Sequence, residues 1–439
     1  MAPDWKRTVF RLRRIPNGVA TFSHVQALVA QAVDMAAENI NVYSLATTLT
    51  PWELPPSKVA TLMFLDIPSL LASSPEGRNE WLLDANDGPV LDVHFIGLTP
   101  LNDVEPERHI ADCIAISGLA GHPLGSWQPR GQDKAFLWIR DEVPRYVRGT
   151  RAIIYGYDTR LMGSNSFQSV PHLSVSLISH IRANGGALDD AKPLVFLAHS
   201  LGGIVLKDAL CRLANSPDNS LERKILSRCR GAIMFGVPNL GMDQTHLLTI
   251  VRGSFIEHLV QDLSRDSGKW GYLNRLERSF SGIGELGEMT FYWMFETEVS
   301  PTFNIKTQQL DGPPSILVDP DSATANRVQE PGSLVHPIGR NHSEIVKFTR
   351  SDPNLSPIIE YLRHVCGLSE PHGVGNGVGL QTEVGLWAIS QSAGFPNASY
   401  HGSDEEMKVE RRRRRLSGMN PPHMHRLVPA ENDSIFIFS

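Results

Sequence analysis

The sequence predicts an α/β fold built on a mostly parallel central sheet, and three observations support that prediction. From about Val90 onward, short apolar runs alternate with segments of helical apolar spacing, as strands and helices do around a parallel sheet. One apolar run, 194–198, leads through a serine and two glycines into a helical segment. The 439-residue chain is 41% hydrophobic and 20% charged, which is typical of a globular protein with one main core and a small companion domain.

Residues 1–89 are predicted to form a small ferredoxin-like α+β module. Strand-like and helical segments follow in the order β-α-β-β-α, at 9–15, 22–37, 41–47, 59–67 and 75–83. The last strand-like segment lacks the basic and paired aromatic residues with which RNA-recognition modules stack bases. The sequence therefore favours a docking or covering role for this module, and the net charge of −6 gives no indication of a nucleic-acid partner.

Residues 90–367 are predicted to form the main α/β domain. Its candidate strands are 112–116, 152–155, 194–198, 231–235, 290–295 and 315–318. The segment 241–288 is rich in helix formers and has no strong strand pattern. We therefore expect a helical insertion there, which covers the functional edge of the sheet.

The remaining residues, 368–439, are predicted to form a disordered tail. Gly, Ser, Asn and His dominate it, and apolar periodicity disappears. Five consecutive arginines occupy 411–415. A solvated charge run without a role is the favoured interpretation. The alternatives are a nuclear-import or anionic-lipid patch, or a recognition site that marks Ser417 for a basic-directed kinase.

The four cysteines and the N-terminal residues indicate the compartment. Cys113, Cys211, Cys229 and Cys366 lie in or beside apolar runs and match neither a CxxC pair nor a zinc-site spacing. The N-terminus lacks the apolar run of a secretory signal, and no stretch approaches the roughly 18 apolar residues of a spanning helix. The sequence thus predicts an intracellular, cytoplasmic protein that is not secreted and has reduced thiols and no metal site.

The strongest motif surrounds Ser200. An apolar strand runs into Ala-His-Ser-Leu-Gly-Gly at 198–203, and an apolar helix follows. This is the pattern of a nucleophile elbow, the turn that lifts a serine above the sheet edge in the α/β-hydrolase fold. Gly202 meets the need for a small residue, whereas Ala198 stands where a glycine is usual. The sequence predicts Ser200 as a nucleophile, and the alternative is a tight packing turn in a non-catalytic protein.

A serine nucleophile needs a base, and the base needs an orienting carboxylate. In this fold their chain order is serine, acid, histidine. His342 lies in a polar turn before an amphipathic segment and is the favoured base, with His336 as its competitor. Glu296 directly follows an apolar run and is the favoured acid, because ligands meet α/β sheets at the carboxyl ends of strands. Asp319 and Asp321 are the alternative acids.

The same chemistry needs two backbone amides that stabilise a developing oxyanion. The amide of Leu201, next to the nucleophile, is one candidate. The glycine-rich loop at 113–127 offers the other, with Leu119 as the expected donor and Gly118 as the source of backbone freedom. This mechanism requires no metal and no cofactor.

With these residues in place, the segment from about Gly97 to Gly367 resembles the lipase-like serine hydrolases typified by the serine active-site-containing protein, a family with many fungal relatives. The matching pieces, in chain order, are Ser-Gly-Leu-Ala-Gly-His-Pro at 117–123 with Trp127, Trp-Ile-Arg-Asp at 138–141, Ile-Tyr-Gly-Tyr-Asp at 154–158, the elbow at 198–203, Phe-Gly-Val-Pro at 235–238, Phe-Glu-Thr at 295–297, Asp-Ser-Ala at 321–323 and Asn-His-Ser-Glu-Ile-Val-Lys-Phe at 341–348. The resemblance implies an oxyanion loop at Gly118 and Leu119 and a triad of the serine, glutamate and histidine proposed above. It also implies an acyl-ester or lipid substrate, peripheral membrane association, and a location at mitochondria or endoplasmic reticulum.

Three departures from the family pattern lead to a second hypothesis. Ser117 stands where the family usually has the histidine of a His-Gly pair, Ala198 replaces a glycine, and Asn239 replaces a histidine. The alternative function is therefore a catalytically weak or inactive signalling or scaffold protein that keeps the fold.

Overall fold

The computed structural model describes residues 8–75, 77–84, 88–131, 135–161, 166–243, 247–248, 251–265, 271–304, 307, 309–329 and 334–368. The predicted tail, apart from its first residue, and the arginine run at 411–415 lie outside the described residues.

An antiparallel sheet with the strand order β2-β3-β1-β5-β4 forms the N-terminal module. Its elements are Val9–Ile15 (β1), Phe22–Val33 (α1), Ile40–Thr47 (β2), Lys58–Phe64 (β3), Ser69–Ala72 (α2), Glu80–Leu82 (β4) and Val90–Asp92 (β5). The helix predicted at 75–83 is wrong: α2 ends before it, and β4 occupies its second half. The reason is Trp81, whose fully buried side chain alternates with two exposed neighbours, so that the two-residue period of a strand prevails.

Within the described residues, a second sheet has the order β14-β11-β10-β9-β7-β8-β6, and only the pair β6–β8 is antiparallel. Its strands are Gly97–Pro100 (β6), Ala111–Ile116 (β7), Thr150–Gly156 (β8), Leu194–His199 (β9), Cys229–Phe235 (β10), Thr290–Glu296 (β11) and, after a hairpin of Ser300–Asn304 (β12) and Gln309–Ser315 (β13), Val335–Ile338 (β14). The strand predicted at 315–318 is therefore wrong. The N–H groups of Leu317 and Val318 in that run bind the Glu296 side chain instead of a neighbouring strand.

The main-domain helices are Trp138–Asp141 (α3), Val143–Tyr146 (α4), Val170–Ala183 (α5), Leu201–Ala214 (α6), Leu221–Arg228 (α7), Glu257–Asp262 (α8), Tyr272–Gly282 (α9), Gly284–Gly287 (α10), Pro320–Thr324 (α11) and Leu355–Val365 (α12). Short 3₁₀ turns occur at Ala37–Asn39, Pro106–Arg108, Gly125–Trp127 and Arg327–Gln329. Helices α8 to α10 lie in the segment predicted as a helical insertion. In the part of the chain that the structure describes, no helix is both long and apolar enough to cross a bilayer.

Both faces of the second sheet are buried. Along β9, Phe196 and Ala198 belong to the cluster that includes α5 and α6, whereas Val195 and Leu197 belong to the cluster that includes α12. Burial on both sides explains why this strand appears as an unbroken apolar run in the sequence. A mostly parallel sheet with helices on both faces and a strand–elbow–helix unit at its centre is an α/β-hydrolase fold. The carboxyl ends of β7, β9, β11 and β14 share one edge, where the candidate site lies.

Candidate active site

The turn between β9 and α6 holds Ser200 in a backbone conformation that non-glycine residues seldom adopt. Its φ is 51° and its ψ is −125°. Two residues later, a Cβ atom at Gly202 would lie 2.5 Å from the carbonyl oxygen of Ser117 and 2.6 Å from that of Ile116. The turn can therefore pack against the end of β7 only because residue 202 has no side chain.

Three buried side chains form one hydrogen-bonded chain. The Nε2 atom of His342 lies 2.9 Å from Oγ of Ser200, and its Nδ1 atom lies 2.6 Å from Oε2 of Glu296. Because a carboxylate only accepts hydrogen bonds, Nδ1 carries the proton and Nε2 is left to accept from the serine hydroxyl. The structure thus brings together the side chains that the sequence suggests as nucleophile, base and acid.

The carboxylate of Glu296 is oriented by backbone donors. Its Oε1 atom accepts hydrogen bonds from the N–H groups of Leu317 (3.0 Å) and Val318 (3.1 Å), and the side chain is completely buried. With Oε1 occupied, Oε2 is directed at His342. Sequence reasoning missed these two donors, because backbone amides have no residue-type pattern.

The backbone of His342 is also held on both sides. Its N–H donates to Oγ of Ser300 (3.1 Å), and its carbonyl oxygen accepts from Nε2 of His199 (2.9 Å). Burial is the main cause that lowers the pKa of His199 well below its usual value, so His199 is neutral with its proton on Nε2. Sequence reasoning did not assign a role to His199, although it directly precedes Ser200.

The expected oxyanion donors flank the same serine. Leu201 is the first residue of α6, so its N–H has no partner within the helix. Leu119 lines the cavity at Ser200, and a Cβ atom at Gly118 would lie 2.8 Å from Cβ of Ser200. The absence of a side chain at Gly118 therefore allows the loop after β7 to approach the serine closely.

Two departures from the family pattern have specific structural settings. The Ser117 hydroxyl is buried without a hydrogen-bond partner among the described residues, but the Ser117 carbonyl oxygen accepts from the Tyr157 hydroxyl at 2.6 Å. Asn239 is buried, accepts from Nζ of Lys207 (2.7 Å) and donates to the carbonyl oxygen of Ala323 in α11 (2.8 Å). Both residues therefore contact the surrounding structure through hydrogen bonds that need no histidine at these positions.

The alternative acids and base lie in other surroundings. Asp319 caps the N-terminus of α11, and Asp321 belongs to the first turn of the same helix. His336 lies in β14, with Nδ1 3.2 Å from the Tyr361 hydroxyl. Among these candidates and their favoured counterparts, the structure brings only Glu296 and His342 together with the serine.

A very small cavity remains above the serine. Its volume is about 10 Å³, and it is lined by Leu119, His199, Ser200, Met242, Leu247 and His342. This space holds about one water molecule. Within the described residues, no cluster of three or more His, Cys, Asp or Glu side chains is arranged to hold a metal ion.

No family model matches the chain. It is similar to vertebrate proteins named Protein SERAC1. The Danio rerio protein is 24% identical over 213 residues, which cover 44% of this chain and 32% of the relative. The Bos taurus protein is 25% identical over 261 residues (55% and 37%), and the Homo sapiens protein 26% over 176 residues (36% and 26%). The chain thus covers about a third of the length of these relatives, and the expected fungal relationship stays a prediction.

Solved structures of similar topology are distant. The mature lipase BlEst2 of Bacillus licheniformis has a TM-score of 0.40 at 12% identity, covering 60% of this chain and 97% of its own. Phospholipase PlaB of Legionella pneumophila has a TM-score of 0.31 at 12% identity (46% and 42%). The esterase RhEst1 of a Rhodococcus species has a TM-score of 0.31 at 11% identity (62% and 94%). The assignment of the fold rests on the sheet and elbow of this chain itself.

Proposed function

We propose that this chain is a serine hydrolase that cleaves carboxylic esters with Ser200 as nucleophile, His342 as base and Glu296 as orienting acid. The observation that supports it most strongly is the pair of hydrogen bonds, 2.9 Å and 2.6 Å, that joins the three side chains. A hydroxyl on a strained elbow, next to a histidine held by a buried carboxylate, is the arrangement used for nucleophilic acyl transfer.

In the proposed reaction, Nε2 of His342 accepts the Ser200 proton as Oγ attacks the acyl carbonyl carbon. Glu296 stabilises the resulting imidazolium, while the amides of Leu119 and Leu201 donate to the oxyanion. The imidazolium then protonates the departing alkoxide, and an alcohol leaves. Water, deprotonated by the same histidine, attacks the acyl-enzyme, so that a carboxylic acid is released and the serine hydroxyl is restored.

The proposed substrate is an ester with an apolar acyl group, such as a lipid. The support is the lining of the cavity, where Leu119, Met242 and Leu247 face the serine. Peripheral association with mitochondrial or endoplasmic-reticulum membranes stays a prediction from the family resemblance.

The small size of the described cavity supports a second candidate function. Its volume of about 10 Å³ is smaller than an acyl group, and the Ser117 hydroxyl has no partner among the described residues. A signalling or scaffold protein that keeps the hydrolase fold without turnover would have no need of an open site.

Labelling with a fluorophosphonate probe distinguishes the two candidates. We expect the purified chain to be labelled and both Ser200→Ala and His342→Ala to lose labelling, because the probe reacts only with an activated serine. His336→Ala is the matched control and should be labelled at the wild-type rate, since this histidine lies in β14. If well-folded wild-type protein is not labelled, the hydrolase proposal is wrong and the scaffold function is favoured.

A further inference from the structure

A buried arginine of the N-terminal module contacts the segment that joins the module to the main domain. Arg11 in β1 is only 5% exposed, and its Nε atom donates to Oδ2 of Asp92 at 2.9 Å. Its Nη1 atom donates to the carbonyl oxygen of Ile96 (3.0 Å) and to the hydroxyl of Thr99 in β6 (2.8 Å). Because a buried guanidinium is costly without its partners, these bonds fix the segment 92–96 between the two sheets.

The segment 92–96 forms a tight turn that packs against a histidine of the main domain. Oδ1 of Asp92 accepts from the N–H of Phe95 (2.9 Å), and Phe95 has a left-handed φ of 54°. The Phe95 ring lies edge-on to the His122 imidazole, with 5.1 Å between centroids, and the guanidinium carbon of Arg11 lies 5.5 Å from the Phe95 ring centroid. The Phe95 ring thus connects Arg11 to His122, because it contacts both side chains.

Both ring nitrogens of His122 are engaged. Nε2 lies 2.9 Å from the carbonyl oxygen of Val93, which can only accept, so Nε2 carries the proton. Nδ1 then accepts from the backbone N–H groups of Leu124 (3.2 Å) and Gly125 (3.0 Å). Burial is the main cause that lowers the pKa of His122, which favours the neutral ring that these contacts require. His122 therefore links the module's connecting segment to the loop after β7.

That loop carries the proposed oxyanion donor. Gly118 and Leu119 lie between the Ser117 carbonyl, which accepts from Tyr157, and the Ala120 N–H, which donates to the carbonyl oxygen of Thr159 at 3.1 Å. His122 follows two residues later and is bonded to Val93. Within the described residues, the Ser117 hydroxyl has no partner, so the side chain at 117 does not fix the loop. Among the described residues, the His122 side chain joins the far end of the loop to the segment that follows the module.

We propose that the N-terminal module contributes to the active site. Arg11 of the module and His122 of the main domain are positioning residues that orient the Leu119 N–H group towards the oxyanion. This inference rests on the proposed hydrolase function. An oxyanion donor acts on the transition state, so a misplaced amide lowers kcat and the affinity for transition-state analogues, with little change in KM.

The test compares Arg11→Met and His122→Asn with Arg13→Met in the full chain. Arg13 lies two residues further along β1 and also pairs with Asp92 (2.8 Å), but its other partner is the exposed carboxylate of Glu80. In His122→Asn, the side chain keeps an acceptor for the two loop amides but is too short to bond the carbonyl oxygen of Val93. This variant therefore tests the contact with the connecting segment separately from the local folding of the loop. Thermal unfolding of each variant shows that it is folded.

We expect Arg11→Met and His122→Asn each to weaken binding of an aryl trifluoromethyl ketone, and to slow fluorophosphonate labelling, on the order of 10-fold to 100-fold, less than loss of a whole oxyanion donor. Arg13→Met should stay within about twofold, as expected for a partly exposed ion pair. The double variant should be no worse than the larger single effect, because both residues act through one chain of contacts.

Two results would overturn the inference, and they differ from each other. If wild type and Arg13→Met are labelled, and folded His122→Asn and Arg11→Met bind the ketone as wild type does, the module has no part in the site and the hydrolase proposal stands. If folded wild type is not labelled, both proposals are wrong.

Discussion

At the scale of single residues, the two oxygens of the Glu296 carboxylate have separate tasks. Oε1 accepts from two backbone N–H groups, and Oε2 accepts from Nδ1 of His342. The arrangement fixes which histidine nitrogen carries the proton, and therefore which one can accept a proton from Ser200.

Glu296→Gln tests that arrangement. The amide oxygen must face the two backbone donors, which leaves the NH₂ group directed at Nδ1 of His342 and moves the histidine proton to Nε2. We expect ester turnover to fall by roughly 10⁴-fold with the geometry intact, as when the carboxylate of another triad is replaced by its amide. Steady-state hydrolysis of a short acyl ester, with thermal unfolding in parallel, measures both properties. The exposed Glu298→Gln should match wild type, and full activity of Glu296→Gln would exclude an orienting role.

Residue-type chemistry explains how much of the site the sequence predicts. Ser200 and Glu296 could be suggested because each combines a reactive side chain with a position just after an apolar run, and parallel strands end at one edge. His342 could be suggested because it lies in a polar turn before an amphipathic segment, late in the chain. The amides of Leu317 and Val318 could not, because their role depends on how the hairpin β12–β13 returns to β11. The roles of the three side chains stay predictions until they are tested.

At the scale of elements, the elbow brings the start of α6 against the end of β7. A methyl group at Gly202 would lie 2.5 Å and 2.6 Å from two carbonyl oxygens of β7 and the residue after it. These atoms belong to the backbone and cannot move aside as a flexible side chain can.

We therefore expect Gly202→Ala to lower the free energy of unfolding by about 1–3 kcal/mol, the usual cost of overpacking. Gly284→Ala, at the start of α10, is the matched control: a Cβ atom there meets no atom within 4 Å. Its free energy of unfolding should change by less than about 0.5 kcal/mol or rise, because alanine favours helix. Urea unfolding measures the free energy of unfolding of both variants. Equal values for the two variants would contradict the close approach of α6 to the end of β7.

The local apolar pattern of the sequence predicts the central strands of the sheet better than it predicts segments at the edges of the fold. The runs 112–116 and 231–235 are buried on both faces, so their composition indicates a strand by itself. The run 315–318 is also apolar, but its first residue ends β13 and its other three residues follow the hairpin. Composition cannot tell an apolar run that joins a sheet from one whose backbone N–H groups bind a side chain.

At the scale of the whole molecule, a buried charge network joins parts that are distant in sequence. Lys207 in α6 is 1% exposed, and its Nζ donates to Asn239 after β10 and to Glu277 in the insertion helix α9. Arg327 also donates to Glu277, at 2.8 Å. Burial alone would raise the pKa of Glu277, but the charges and hydrogen bonds of Lys207 and Arg327 together outweigh it and hold that pKa below its ordinary value of 4.5.

This network predicts a pH-dependent stability. Glu277→Gln leaves Lys207 buried without its carboxylate, so at pH 7 we expect a loss of about 3–5 kcal/mol in the free energy of unfolding. Because the folded pKa of Glu277 is lowered, its contribution is present above the unfolded pKa and is lost as the pH falls through the folded one. Urea unfolding between pH 7 and pH 3 should show the two proteins converging in acid.

The control for this prediction is Glu222→Gln, which removes a surface pair with Arg182. Its effect should stay below about 1 kcal/mol at every pH. A gap between wild type and Glu277→Gln that is constant across the pH series would show that the carboxylate does not titrate as part of the network.

The small cavity at the serine has a consequence for how the proposed activity is controlled. If the described space, which holds about one water molecule, represents the resting state, an acyl chain binds only after the residues that line it, Met242 and Leu247 among them, have moved apart. The apparent dissociation constant is then the intrinsic one divided by the fraction of molecules in the open state. A ligand or surface that binds the open state preferentially would raise activity by changing that population alone, with every contact of the triad left as it is.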